Sequence, residues 1–155
     1  MDITIERVPD PTAEAEALLA ELDRTLAGSY TTEQRHGLPV ERLFRPGIRF
    51  FIARSGGAAV GCGGIALLGT YAEVKRMYVR DAARRQGVGK ALLGRIEQDA
   101  RGAGLGLLRL ETGVHQAAAV GLYERSGFTE RGPFGPYADL APRAIALSLF
   151  YEKRL

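Results

Sequence analysis

Polar and apolar residues alternate in the opening ITIERV as they do along a half-buried strand, and the period then changes. In TAEAEALLAELDRTL, Ala15, Leu18, Leu19, Leu22 and Leu26 recur at helical spacing behind a Pro-Thr start, which predicts an amphipathic helix. GLPVERLF predicts a short second helix. IRFFIAR and AAVGCGGIALL, joined by SGG, predict a two-stranded hairpin, and YAEVKRMYV predicts a further strand. Val88, Leu92, Ile96 and Ala100 stand four residues apart, one row of a second long helix. The period returns to strand in LGLLRLET and to helix in AAAVGLYERSG, which Gly127 closes where a left-handed residue fits. AIALSLFYEKRL predicts a last strand with Ile145, Leu147, Leu149 and Tyr151 on one face. With no repeat, low-complexity stretch or linker, residues 1–155 read as a single α/β (α+β) domain with a mixed sheet.

Composition narrows the class. At 155 residues and 46% hydrophobic, the chain is sized for one packed core. A net charge of +3 without a long run of like charge suits a phosphate-bearing small ligand better than a nucleic-acid tail. The single cysteine, Cys62, excludes an intramolecular disulfide and a thiolate-rich zinc site. MDITIERVPD shows no secretory or transit pattern and no apolar run approaches a membrane span, so a cytoplasmic location without a membrane partner is expected.

The stretch RDAARRQGVGKALL carries the first chemistry. It sits between the strand ending at Val79 and the helix beginning near Gly87, and brings Arg80, Arg84, Arg85 and Lys90 to a helix start. Unpaired N–H groups and the positive end of the helix dipole make such a start an anion site, and glycine lets a phosphate approach the backbone. A plain tight turn with solvated arginines is the competing reading. Two nucleotide motifs fit poorly. A P-loop needs a hydroxyl after its lysine, where Ala91 follows Lys90, and a dinucleotide fingerprint needs a third small residue where Leu92 stands.

Arg84, Gly87 and Gly89 do match the acetyl-coenzyme A signature of the GCN5-related N-acetyltransferases: Arg or Gln, two residues, Gly, one residue, Gly or Ala. YAEVKRMYV resembles that family's fourth strand, LGLLRLET its fifth, and AAAVGLYERSGF its Leu-Tyr-three residues-Gly-Phe helix, in the right order. The resemblance implies a twisted mixed sheet of six to seven strands with helices on both faces, its fourth and fifth strands splayed to admit pantetheine. It also implies acetyl-coenzyme A as cosubstrate, no metal, and direct transfer to an amine. The pyrophosphate would rest on backbone N–H groups from Arg85 through Gln86, Gly87, Val88 and Gly89 to Lys90, with Arg84 adding charge. Pantetheine would pair with the strand edge at Met77, Tyr78 and Val79.

Amide formation needs the ammonium to lose a proton and the departing thiolate to gain one. Glu73 lies where family members place a glutamate base; a strand-edge carboxylate paired with Lys75 or Arg109 is the alternative. Glu111, on the fifth strand, is expected to bind the acceptor's cation or share the relay, unless it is a surface charge. Tyr123 matches the family's usual acid and is protonated at neutral pH. Gln116 stands where many members have Asn, so its cofactor contact is expected to differ. Cys62 reads as a small buried strand residue, His115 as a secondary relay candidate and His36 as a loop residue. GPFGPYAD is similar to a segment of many bacterial members, and is expected to expose Phe134 and Tyr137 as a wall of the acceptor pocket, or else to be a rigid connector. The favoured function is acetylation of a small-molecule or amino-acid-like amine, ahead of a protein N-terminus or lysine and of a non-catalytic coenzyme A sensor. No nucleic-acid partner is expected, and a homodimer is left open.

Overall fold

The structure, a computed structural model, describes residues 2–155. Its elements in chain order are β1 (Ile3–Arg7), α1 (Ala13–Ala27), α2 (Val40–Leu43), β2 (Ile48–Ser55), β3 (Ala58–Leu67), β4 (Ala72–Val79), α3 (Val88–Gly102), β5 (Leu107–Gly113), α4 (Ala117–Arg125), β6 (Thr129–Arg131), α5 (Pro142–Ile145) and β7 (Ser148–Arg154). The strands form one sheet in the order β1-β2-β3-β4-β5-β7-β6.

Local chemistry sets the boundaries. Thr12 caps α1, its hydroxyl accepting the Ala15 N–H at 3.1 Å, and Glu14 and Glu16 stand in the first turn, where the dipole favours them. The β2–β3 hairpin turns on Gly56 and Gly57, at φ 59° and 85°, a two-residue turn that needs positive φ twice.

Period two along β2 builds both layers. Phe50 and Ile52 point into a cluster with Leu18, Leu19 and Leu43 from α1 and α2. Phe51 and Ala53 point the other way, into a cluster with Val88, Leu92, Ile96 and Ala100 of α3 and Leu108 and Leu110 of β5. Helices therefore cover both faces, and the predicted row of α3 is the buried one.

All neighbouring strands are antiparallel except β4 and β5. That parallel pair meets only at Ala72–Leu108 and Glu73–Arg109, after which the strands part. On its other side β4 pairs with β3 as far as Val79, with a register shift between Cys62 and Gly64 opposite Arg76, which adopts φ 57°. The extra residue of this bulge bends β4 just where β5 leaves it.

Two expectations are corrected at the C-terminus. The last strand begins at Ser148, not in AIAL, because Pro142 stands in the first turn of a short helix, where its missing N–H costs nothing. Ile145 accordingly packs with Phe134, Tyr137 and Phe150, whereas Leu149 and Tyr151 face the α3 layer. β6, the sequence TER, carries no apolar alternation and is formed by pairing with β7.

Candidate active site

The departure of β5 leaves the β4 edge beyond Glu73 without a strand partner, exposing main-chain groups around Met77, Tyr78 and Val79. Their side chains serve elsewhere. Met77 and Val79 pack on the α3 layer, and the Tyr78 hydroxyl donates to Glu21 at 3.1 Å. An extended ligand can therefore pair with this edge through backbone alone.

The same edge leads to the N-terminus of α3. Arg85 and Gly87 both hold left-handed backbone, φ 64° and 84°. Among the described residues, no N–H from Arg85 to Lys90 donates to a backbone carbonyl. These free groups stand at the positive end of a fifteen-residue helix, an arrangement that can accept an anion. The two glycines have different reasons. A Cβ on Gly87 would meet nothing within 4 Å, so that position is open and its backbone conformation selects glycine; a Cβ on Gly89 would lie 2.7 Å from Leu122, so that glycine serves the packing of α3 on α4. The four cations also divide. Arg80 is committed to Glu21, at 2.7 Å, and to the Ala59 carbonyl at 2.8 Å, and Arg84 pairs with Asp81 at 3.3 Å. Arg85 and Lys90 are exposed and form no ion pair among the described residues. Gln86 is also exposed, its side chain 3.4 Å from the Ala82 carbonyl, and the Val88 side chain is core.

Between the splayed strands lies a cavity of about 110 Å³. Glu73, Lys75 and Met77 of β4, Glu111 of β5, and Gln116 and Tyr123 at α4 line it, and Leu22, Tyr30 and the segment Gln34–Gly37 close it from the α1 side. Glu73 is only 4% exposed. Its Oε2 accepts the Tyr137 hydroxyl at 2.6 Å and faces Lys75 Nζ at 2.9 Å, and Lys75 also donates to the Tyr137 oxygen at 3.0 Å. Burial, then the Glu73 charge, pushes the Tyr137 phenol well above its ordinary range, so it stays a donor. Arg109 pairs not with Glu73 but with Glu152, at 3.2 Å.

Glu111 is set in the cavity wall rather than on the open surface. Burial raises its carboxyl against the Ser148 hydroxyl, which donates to Oε2 at 2.6 Å and favours the ionised form; no side chain among the described residues bonds Oε1. Tyr123 is 4% exposed, and burial followed by the Glu111 charge raises its phenol. Its ring meets Phe128 edge-on at 5.8 Å, while the hydroxyl forms no hydrogen bond among the described residues. That hydroxyl is a protonated donor available to a ligand.

Other expectations shift. Phe134 and Tyr137 are buried, at 2% and 7% exposure, because they stack with Phe150 and Tyr71 in a small aromatic core. Tyr137 still reaches the cavity; Phe134 stands behind it and is not part of the lining. His36 is more than a loop residue: its Nε2–H donates to the Ala144 carbonyl at 2.8 Å, and its ring borders the cavity and Tyr137. His115 is exposed, outside the lining, stacked on Tyr30 at 5.6 Å. Cys62 is fully buried, its thiol pushed up to about 12 by burial, as expected of a packed strand residue. The sequence reading missed Tyr30, Arg35 and the closing role of His36. Tyr30 lies over Gly113, where any Cβ would collide with its ring, but a lone glycine at a strand end does not announce which residue it accommodates. Among the described residues no three His, Cys, Asp or Glu side chains converge as metal ligands.

Comparison with known proteins is consistent with this arrangement. Residues 14–128 match the sequence model of the Acetyltransferase (GNAT) family. The chain is 51% identical over 140 residues to an IAA acetyltransferase of Azospirillum brasilense, covering 89% of this chain and 88% of that one. It is 36% identical over 110 residues to the N-acetyltransferase YsnE of Bacillus subtilis, covering 69% and 73%. Among solved structures, an acyl-CoA N-acyltransferase from Klebsiella pneumoniae superposes with a TM-score of 0.80 at 37% identity, over 99% of this chain and 97% of that one. The PaiA N-acetyltransferase of Thermoplasma acidophilum, solved with coenzyme A, shares the fold at a TM-score of 0.70 and 19% identity, over the whole of both chains.

Proposed function

The chain belongs to the acetyltransferase (GNAT) family, and we propose that it moves an acetyl group from acetyl-coenzyme A directly to the primary amine of a small-molecule acceptor. The observation that carries this reading is the convergence on one cavity of an unpaired strand edge, a buried carboxylate and an unbonded tyrosine hydroxyl. Gln34–Gly37 line the α1 side of the cavity, next to the proposed acceptor position. A 51% identical relative named for acetylation of IAA supports a small-molecule acceptor.

In this reading the N–H groups of residues 85–90 hold the pyrophosphate, Arg85 and Lys90 supply mobile charge, and the β4 edge aligns the pantetheine amides. That alignment brings the thioester towards Tyr123 and the cavity. Glu111 holds the acceptor's ammonium. Glu73, linked to the cavity through Tyr137 and Lys75, takes the first proton, and the free amine attacks the thioester carbonyl. As the C–N bond forms and the C–S bond breaks, the Tyr123 hydroxyl protonates the sulfur. The nitrogen loses two protons in all: one replaces that given up by Tyr123, and the other leaves through the carboxylates to solvent. Gln116, at the N-terminus of α4 in the same cavity lining, contacts the cofactor in this reading.

The test is thiol release from acetyl-coenzyme A across a panel of amines, amino acids and peptides. Acceptor-dependent release with small amines, and acetylated product by mass spectrometry, is expected. Release with peptides alone would shift the assignment to protein acetylation, and binding of acetyl-coenzyme A without release from any acceptor would make the chain a sensor.

A further inference from the structure

The charges around the cavity leave an uneven remainder. Arg76 pairs with Asp23 at 2.8 Å, although its Nε too is buried without a hydrogen-bond partner, and Lys75 pairs with Glu73 at 2.9 Å, so the charges of these lining cations are matched. Arg35 is not. It lines the same cavity, its Nη2 reaches only the Thr32 hydroxyl at 3.2 Å, and its Nε is buried without a hydrogen-bond partner. Among the described residues no carboxylate lies within ion-pair distance of its guanidinium. Glu111 is its counterpart of opposite sign: a carboxylate in the same lining, bonded by a neutral hydroxyl through one oxygen only.

A buried donor without a partner is costly, and a guanidinium is shaped to take a carboxylate in a two-point contact. One unmatched cation and one unmatched anion in a small cavity complement a molecule that carries both charges. We propose that the acceptor is an aminocarboxylate, its carboxylate held by Arg35 and its ammonium by Glu111. Leu22, Leu26 and Ala119 add an apolar wall, which suits a hydrocarbon side chain. The proposal rests on the acetyltransfer reading above and narrows its substrate to free amino acids and their close analogues. Arg35 acts here as a specificity residue that touches the part of the acceptor remote from the reacting nitrogen.

The experiment compares acid, amide and decarboxylated forms of one skeleton: leucine, leucinamide and isoamylamine, then phenylalanine, phenylalaninamide and phenethylamine. For wild type, kcat/KM should favour the acid over the amide roughly 10- to 100-fold, the range for a charge-assisted hydrogen bond. Arg35→Met should raise KM for the acid by a similar factor, leave kcat little changed and leave the amine lacking a carboxylate unaffected, so that the preference disappears. Arg35→Lys should recover part of it. Unchanged stabilisation by acetyl-coenzyme A would show that the variants are folded. Equal use of acid and amide by wild type, or a preference that survives in Arg35→Met, overturns the proposal while leaving acetyltransfer intact. If no acceptor is turned over, calorimetry of leucine and phenylalanine with the coenzyme A-loaded protein decides. Binding that Arg35→Met abolishes supports the carboxylate site, and absence of binding in wild type rejects it.

Discussion

Glu73 and Glu111 stand in one cavity but in different company, and their substitutions should separate. Glu73 is bonded by Tyr137 and paired with Lys75, so Glu73→Gln removes the proposed proton acceptor and leaves Lys75 without its carboxylate partner. Turnover at neutral pH should fall roughly 10²- to 10⁴-fold with acetyl-coenzyme A binding kept, and the deficit should shrink as pH rises and the acceptor loses its own proton. Wild-type turnover at pH 7 would make Glu73 structural. Glu111 gives a stability signature. Its carboxyl is raised in the folded state by burial above an ordinary value near 4.5, so the folded chain keeps a proton that the unfolded chain has already released. Stability contributed by this group therefore falls as pH rises from that value through the folded one. Glu111→Gln should melt higher than wild type at pH 7, the gain fading towards pH 4, while KM for the amine rises; a gain that grows on acidification would contradict the assigned burial effect. Tyr123→Phe keeps the ring packed on Phe128 and removes only the hydroxyl. A single-turnover rate about 10²-fold lower or worse is expected, with the fold altered by no more than about 1.5 kcal/mol. Sequence could point to Glu73 and Tyr123 because each falls in a local pattern. Arg35 and His36 escaped it because a guanidinium or imidazole in a loop joins a cavity lining only when a distant wall faces it.

At the scale of elements, what was legible followed from local periodicity, and what was not came from contacts between elements. The buried row of α3, the Thr12 cap and the glycine hairpin are written in consecutive residues, and the structure keeps them. β6 and the late start of β7 depend on pairing and on Pro142, which no alternation in TER or AIAL reveals. The turn before α3 shows both kinds of information. Its glycines and cations could be read in the sequence, but not the approach of Gly89 to Leu122 of α4, whose Cδ2 would lie 2.7 Å from a Cβ there. Gly89→Val should therefore destabilise the protein without any ligand, by about 1–3 kcal/mol for overpacking. For a chain of this size that lowers Tm by roughly 2–12 °C. An unaltered melt would show that α4 yields without cost and that Gly89 has no packing role.

For the molecule as a whole, the ligand tests whether the unpaired edge and the helix start act as one site. Acetyl-coenzyme A that binds only the folded chain stabilises it by mass action, by about 2.7 kcal/mol at a hundred times Kd. At 155 residues, that corresponds to a rise in Tm of roughly 5–11 °C. Gly87 divides the contributions. Its φ of 84° is strained for a branched side chain, although a Cβ there meets no protein atom within 4 Å. Gly87→Val should thus cost about 1–2 kcal/mol in the free protein from backbone strain. It should also place a side chain in the space where the pyrophosphate approaches the N–H groups, and most of the ligand-induced rise should vanish. Free pantetheine lacks that pyrophosphate, so any stabilisation it gives through the β4 edge should survive in Gly87→Val. A variant that loses baseline stability yet keeps the full acetyl-coenzyme A shift would locate the anion away from α3, and a wild-type shift near zero at millimolar ligand would reject the cosubstrate itself.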